Sequence, residues 1–453
     1  WLWPFSTLGW PEETKDLKTF FPTDTLATGP DIIFFWVARM IMASLEFMGD
    51  IPFSDVYFNG MIRDLRGKKM SKSLGNSPDP LWLINGADPE QMQHFIPDNP
   101  SYKDGVPAYG ADAVRMTMLY STPLGGDVHF DHTSVELGQR FSNKLWNAVR
   151  FVLMNLDPSQ ELLSFDSIKE EELDLADKWI ISRLQKTIKD VDRSMNEFRL
   201  NDAAHDLCSF VWSEFCDWYV EWVKLRLYDD SDPQQQLVAR SVVFYVMDSS
   251  IKLLHPMMPF ITEEIWQAFP VQKNAVQEKR SIMLESYPVV RERWINKNDE
   301  ASFELLQQII GAIRNIRGEM NIPPGKQAEL VLNIPDPDQQ QIVQNNQVAV
   351  SRLARLDRIT FNDQRPALSA SAVVQGMEIY MPLSDLIDVE LEKDRLGKEI
   401  ERLEKQLQGL NKKLNNENFV SRAPRDVVEK ERRKKADWEM NLEKLEKNLK
   451  MLS

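Results

Sequence analysis

The period of the apolar positions changes several times along the chain, and each change marks a segment. Residues 32–37 are apolar on every side and the run continues to Met42, broken only by Arg39. This predicts a buried helix, N-capped near Asp31 and stopped at Gly49. Val56-Tyr57-Phe58 predicts a short buried strand, followed by a polar loop holding Arg66-Gly67-Lys68-Lys69-Met70-Ser71-Lys72-Ser73. Strand, Gly-containing loop and helix together predict an α/β unit over 1–135, with ligands beyond the strand ends. Over 136–325 a helical spacing recurs at 141–154, 179–195, 203–227, 241–254 and 305–316, with breakers at Asp157-Pro158 and Pro256 to Pro259. Short links between amphipathic helices predict a helical bundle. Residues 326–390 alternate like strands at 329–334, 358–361 and 373–381, which predicts a small α+β connector. In 391–453, Leu396, Ile400, Leu403, Leu407, Leu410 and Leu414 are spaced by four and three, and the pattern resumes at Val428 and again at Trp438, Leu442, Leu445, Leu449 and Leu452. Two heptad helices joined by Asn418 to Pro424 predict an antiparallel coiled-coil hairpin.

Composition adds limits. A chain of 453 residues has room for about three domains. With 43% hydrophobic and 27% charged residues it is neither globally disordered nor a membrane protein. Its longest apolar run is too short to cross a bilayer, so no membrane partner is expected. The net charge of -15 argues against indiscriminate coating of nucleic acid. Residues 391–453, however, hold 17 Lys and Arg against 13 Asp and Glu, a net +4 that leaves -19 on the remainder. A basic arm on an acidic body suits a polyanionic partner. The only cysteines, Cys208 and Cys216, lie eight apart in a helical pattern, about 12 Å along the axis and too far for a disulfide. They point to a reducing compartment and supply no metal site. The chain opens Trp1-Leu2-Trp3-Pro4-Phe5 without an initiator Met, as expected of a fragment that starts inside a domain.

The strongest chemical signal is Lys69-Met70-Ser71-Lys72-Ser73. Two lysines three apart, with interleaved hydroxyls and flanking Gly67 and Gly75, can bring ammonium groups and hydroxyl donors to a phosphate chain, or form a solvated basic loop. The string resembles the KMSKS signature of class I aminoacyl-tRNA synthetases. The stretches 2–11, 31–42 and 143–148, with Asn418-Phe419-Val420 and Ala423-Pro424, narrow the resemblance to the valyl-tRNA synthetases across nearly the whole chain.

That resemblance implies a set of roles. Lys69 and Lys72 would be the catalytic pair, gripping ATP phosphates and stabilising charge as pyrophosphate leaves. Ser71 and Ser73 would order the loop or donate to phosphate, with Met70 between them in the ATP-binding set. Gly29 and Asp31 match the class I G-x-D element, whose carboxylate accepts from ribose hydroxyls, although Asp31 also suits an N-cap. Met61 and Ile62 fall where the class makes backbone contacts to adenine; Asn59 replaces the His common before that glycine. Ile32 and Trp36 would line the valine pocket, though a Trp among apolar residues also suits a core. Arg422, Arg425, Arg432, Arg433, Lys434 and Lys435 would form a tRNA-binding arm, with an ordinary ion-paired coiled-coil face as the alternative. Arg314, Arg317 and the Trp218, Tyr219, Trp222, Lys224, Arg226 cluster are candidate RNA contacts or core.

The five histidines, His94, His129, His132, His205 and His255, include no H-x-G-H, so the other class I signature and the editing domain are expected outside this sequence. The implied cofactor is ATP with Mg²⁺ as substrate and no protein-bound metal. The implied partners are valine and a valine tRNA, for a monomer in the cytoplasm. An isoleucyl-type class Ia enzyme and a non-catalytic tRNA-binding module are the rivals. The predicted architecture is a partial Rossmann-like domain with the KMSKS loop at 1–135, an anticodon-binding bundle at 136–325, a connector at 326–390 and the arm at 391–453.

Overall fold

The computed structural model describes residues 1–71, 74–95, 102–156, 161–269, 281–384, 386, 389–416 and 425–452. These form two compact units, 1–297 and 298–453. Helices dominate, and the sheets are small.

The first unit opens with two short helices, α1 (Trp3–Ser6) and α2 (Lys15–Phe20), before β1 (Thr23–Thr28), α3 (Ala38–Met48) and β2 (Phe53–Phe58). β1 and β2 pair in parallel, so α3 is a crossover connection. β3 (Ile62–Arg63) follows, then α4 (Pro80–Asn85), α5 (Pro89–Phe95), α6 (Ala111–Ser121) and β4 (Val128–His129), which pairs in parallel with β3. The 32–49 segment differs from its prediction. It begins as a 3₁₀ turn over Pro30–Ile32 and a π turn over Ile33–Val37, and only then becomes α3. Nor is it buried all round: Phe34 and Phe35 are 80% and 70% exposed, while Val37 and Met40 pack with Phe53. Gly49 ends it in the left-handed conformation expected of a C-terminal glycine. β2 starts three residues before the predicted strand and is only half-buried along 56–58.

The remaining helices of this unit are α7 (Glu136–Asn155), α8 (Leu175–Asn196), α9 (Leu200–Ser209), α10 (Val220–Leu227), α11 (Pro233–Leu254) and α12 (Pro259–Ala268). A π segment, Phe210–Tyr219, joins α9 to α10, so 200–227 runs on as one helical stretch. Leu145 on α7, Ile181 and Leu184 on α8, Leu207 and Phe215 in this stretch, and Val246 and Ile251 on α11 are fully buried. Asp174 starts α8 with a capping box: its carboxylate accepts from Asp177 N at 2.7 Å and its own amide donates to Asp177 at 3.3 Å.

The second unit contains α13 (Lys297–Glu319), β5 (Ala328–Asn333), α14 (Pro337–Asn345), α15 (Gln347–Ala354), β6 (Leu356–Phe361), β7 (Ser369–Val374), β8 (Met377–Pro382), α16 (Val389–Leu414) and α17 (Arg425–Leu452). Its sheet has the order β6-β5-β8-β7. The single strand predicted at 373–381 is a hairpin instead, because Gln375 and Gly376 take positive φ and turn β7 back on β8. α16 packs on α17; Leu396, Leu407, Leu410 and Val428 are buried, and Lys413 pairs with Glu431 at 2.6 Å.

Candidate active site

β1 and β2 end side by side, with Thr28 opposite Phe58 and Asn59 N donating to Thr28 O at 2.9 Å. Gly29-Pro30-Asp31 and Asn59-Gly60-Met61 therefore leave the carboxyl ends of two parallel strands together, the edge where α/β sheets bind ligands. Beyond β3 the chain turns through Asp64 to Gly67 and returns, bridging Arg63 to Lys69, with Met70 N donating to Ile62 O at 2.9 Å. This return brings the Lys69 ammonium to 2.9 Å from Asp31 Oδ2, although the two are 38 positions apart. Both side chains are about half exposed. The Lys69 ammonium holds the Asp31 carboxyl below its ordinary range by a direct hydrogen bond. Asp31 is thus not the expected N-cap: it lies inside the Pro30–Ile32 turn, whose N-cap is Gly29, and its carboxylate faces Lys69.

Two supporting features join segments far apart in the sequence. A Cβ on Gly60 would lie 1.7 Å from the Gly126 carbonyl oxygen, so only glycine permits the 59–61 and 125–127 backbones to touch. Asp127 then accepts from Met61 N at 3.0 Å and from Arg63 Nε at 2.6 Å, and these hydrogen bonds, Arg63 first, keep its carboxyl low. The available signal was Gly125-Gly126-Asp127, a turn with an anchoring carboxylate, but its partner lies 66 positions away. Met61 spends its amide on Asp127 and its carbonyl on Val128 N, while Ile62 is 41% exposed.

Other predicted residues are placed as follows. Ile32 is 37% exposed at the joint of the 3₁₀ and π turns, and Trp36 is half-buried against Val37, Met40 and Phe53 beneath the strands. Gly29 has the Met61 sulfur and the Asp31 carboxylate as neighbours, and Ser71 N donates to the Asn76 side chain at 3.0 Å. Lys72, Ser73 and Arg422, together with the Arg425 side chain, lie outside the described residues. On α17, Arg432, Arg433 and Lys434 are exposed, Lys434 sits 4.7 Å from the Trp438 ring centre, and Lys435 is 3.6 Å from Glu439. Arg317 is buried and donates to the carbonyls of Pro323 and Lys326, so it serves the local fold, while Arg314 is exposed and donates to Leu353 O. Tyr219 and Trp222 are likewise buried, and Arg226 donates to buried Asp177. Among the described residues no group of three or more His, Cys, Asp or Glu is placed to hold a metal, and no helix is long and apolar enough to cross a membrane.

Three family profiles match this chain in sequence order. tRNA synthetases class I (I, L, M and V) match residues 1–131, the anticodon-binding domain of tRNA ligase matches 177–332, and the valyl tRNA synthetase tRNA binding arm matches 388–453. The valine–tRNA ligase of Fusobacterium nucleatum is 41% identical over 99% of the chain, and that of Carboxydothermus hydrogenoformans 41% over all of it. The chain belongs to the valyl-tRNA synthetase family. It spans about half the length of the curated relatives it matches, 48% of each of these two. Among solved structures, the LeuRS–tRNA–LeuAMS complex of Agrobacterium radiobacter K84 aligns at 17% identity and a TM-score of 0.47, covering 79% of this chain and 40% of that one. Within this valyl-tRNA synthetase family member, Gly29, Asp31 and Lys69 fall in the class I match, and Arg432 to Lys435 in the tRNA-binding-arm match.

Proposed function

We propose that the chain is the part of a valine–tRNA ligase that grips ATP phosphates and holds tRNA. In that reaction a valine carboxylate oxygen attacks the α-phosphorus of ATP, the bond to the bridging oxygen breaks, and pyrophosphate leaves. A terminal ribose hydroxyl of valine tRNA then attacks the valyl carbonyl and AMP departs. The observation that carries the reading is the meeting of Lys69 and Asp31 at the strand ends. An ATP ribose would take the Asp31 carboxylate and free the Lys69 ammonium for the phosphates, where a preset cation stabilises the charge that develops on pyrophosphate. Lys72 joins it, with Ser71 and Ser73 as hydroxyl donors and Met70 between them; Mg²⁺ arrives with ATP. Gly29 allows the ribose close, and adenine lies along Met61 and Ile62. Ile32 and Trp36 face valine. The helical region reads the anticodon, 326–390 serves as a connector, and α16 with α17 forms a coiled-coil hairpin. Its exposed basic run, together with Arg422 and Arg425, holds the tRNA body. The ligase acts as a monomer in the cytoplasm.

Filter binding of the chain to valine and isoleucine tRNAs at two salt concentrations, with ATP–pyrophosphate exchange alongside, tests this reading. The expected result is salt-sensitive preference for the valine tRNA without exchange by the chain alone. Equal weak binding of both tRNAs would sink it.

A further inference from the structure

Asn76 lies beyond the KMSKS-type string and has no role in the proposed reaction. Its side-chain amide is used three times. Nδ2 donates to Asp64 Oδ2 at 3.0 Å and to Lys69 O at 3.2 Å, while Oδ1 accepts from Ser71 N at 3.0 Å. An amide has two N–H donors for those two acceptors. The reversed orientation would set oxygen against oxygen twice and N–H against N–H once, so the network assigns it. Asp64, 8% exposed, accepts from Arg66 N at 3.0 Å and Lys68 N at 2.9 Å through its other oxygen, and its own amide donates to Lys68 O at 2.8 Å. One buried carboxylate thus closes the 64–68 turn and anchors Asn76. Asn76 in turn holds the main chain on both sides of Met70.

We propose that Asp64 and Asn76 are positioning residues, a clasp that fixes the backbone at 69–71 and so aims the Lys69 ammonium at the end of β1. A lysine side chain is long and flexible, and holding its tip in one place costs rotamer freedom. Fixing its root at both the Arg63 bridge and the Asn76 clasp leaves fewer positions for its tip. Asn76→Ala removes all three bonds. The exchange D64N/N76D conserves charge and keeps a carboxamide donor facing a carboxylate, but sets a carboxylate oxygen against Lys69 O in place of that one bond. The inference rests on the reading of Lys69 as a phosphate-binding group for its purpose, though not for its test.

The test follows the Asp31 carboxyl by carbon NMR in the full 453-residue chain labelled at aspartate, with Asp31→Asn assigning the signal and circular dichroism confirming the fold. In the unsubstituted chain Asp31 titrates below its ordinary range, and Lys69→Ala returns it upward. Under the proposal Asn76→Ala moves Asp31 upward as Lys69→Ala does, and D64N/N76D moves it less. Asp31 unmoved in Asn76→Ala overturns the clasp, and so does Asp31 unmoved in Lys69→Ala. Calorimetric titration with ATP and with adenosine separates the two ideas. A loss of ATP affinity of about tenfold in Asn76→Ala, with adenosine unchanged, supports both. If Asp31 responds while ATP affinity does not, the clasp stands and the phosphate role of Lys69 falls.

Discussion

His255 Nδ1 lies 2.7 Å from Thr262 Oγ1, and that hydroxyl donates its own proton to Met258 O at 2.8 Å. Burial lowers the His255 pKa, with Glu263 and Asp112 pulling the other way. A histidine depressed in the folded state contributes stability above its ordinary value near 6.5 that is lost as pH falls through the folded value. Denaturant unfolding at about pH 7.5 and about pH 5.5 should show a larger loss in the native sequence than in His255→Gln; equal losses would remove His255 from the acid response. A second residue-scale case is buried Asp177, which accepts from Tyr219 Oη at 2.7 Å and from Arg226. Arg226→Met strands a carboxylate with no exposed side-chain surface and should cost about 3–5 kcal/mol in urea unfolding. Tyr219→Phe removes one donor and should cost about 1–2 kcal/mol. The aromatic-basic cluster around 218–226 reads from the sequence as an RNA surface or as core, and the structure buries Tyr219 and Trp222. The partner was not legible, because nothing local states that Asp177, 42 positions from Tyr219, would accept from its hydroxyl.

Between elements, α6 clamps the turn that precedes α12. Asp112 accepts from Phe260 N at 3.3 Å and Ile261 N at 2.6 Å, while Arg115 donates to Pro256 O at 3.0 Å and Met257 O at 3.1 Å. The carboxylate thereby caps a helix that has no cap of its own, where a negative charge also meets the positive helix end. Asp112→Ala should lower stability by about 1–2 kcal/mol, and slower amide exchange at Phe260 and Ile261 in that variant would contradict the cap. α6 and α7 touch just as closely: a Cβ on Gly138 would stand 2.2 Å from Ala113 O and 2.8 Å from Thr117 Oγ1. Gly138→Ala should cost about 1–3 kcal/mol by thermal unfolding as the helices part, whereas Gly311→Ala on α13, which meets nothing within 4 Å, should not destabilise. The helices themselves were legible, since all five predicted stretches fall inside observed helical runs. Their starts were missed by several residues, because caps such as Asp174 and Asp232 precede the first apolar position.

At the scale of the whole chain, charge separates as the sequence shows, with the basic excess in 391–453 and exposed on α17 at Arg432, Arg433 and Lys434. Replacing these three by alanine should weaken valine-tRNA binding more at low salt than at high salt. For every phosphate that one of these side chains neutralises, its replacement should flatten the salt slope by roughly 0.7–0.9, the range between single strands and B-form duplex, and an unchanged slope would return the run to an ordinary solvated face. Helical repeats, the heptads of α16 and α17, the charge asymmetry and the five-residue string at 69–73 are legible in the chain alone, because each is written in consecutive or periodic positions. Packing settles what those groups meet. It set Lys69 on Asp31, folded Arg317 into nearby carbonyls, laid Gly60 on Gly126 and put Asn76 between Asp64 and Lys69. A charged or polar side chain takes the partner that the packed backbone brings within about 3 Å, and positions far apart in the chain carry no local mark of that approach.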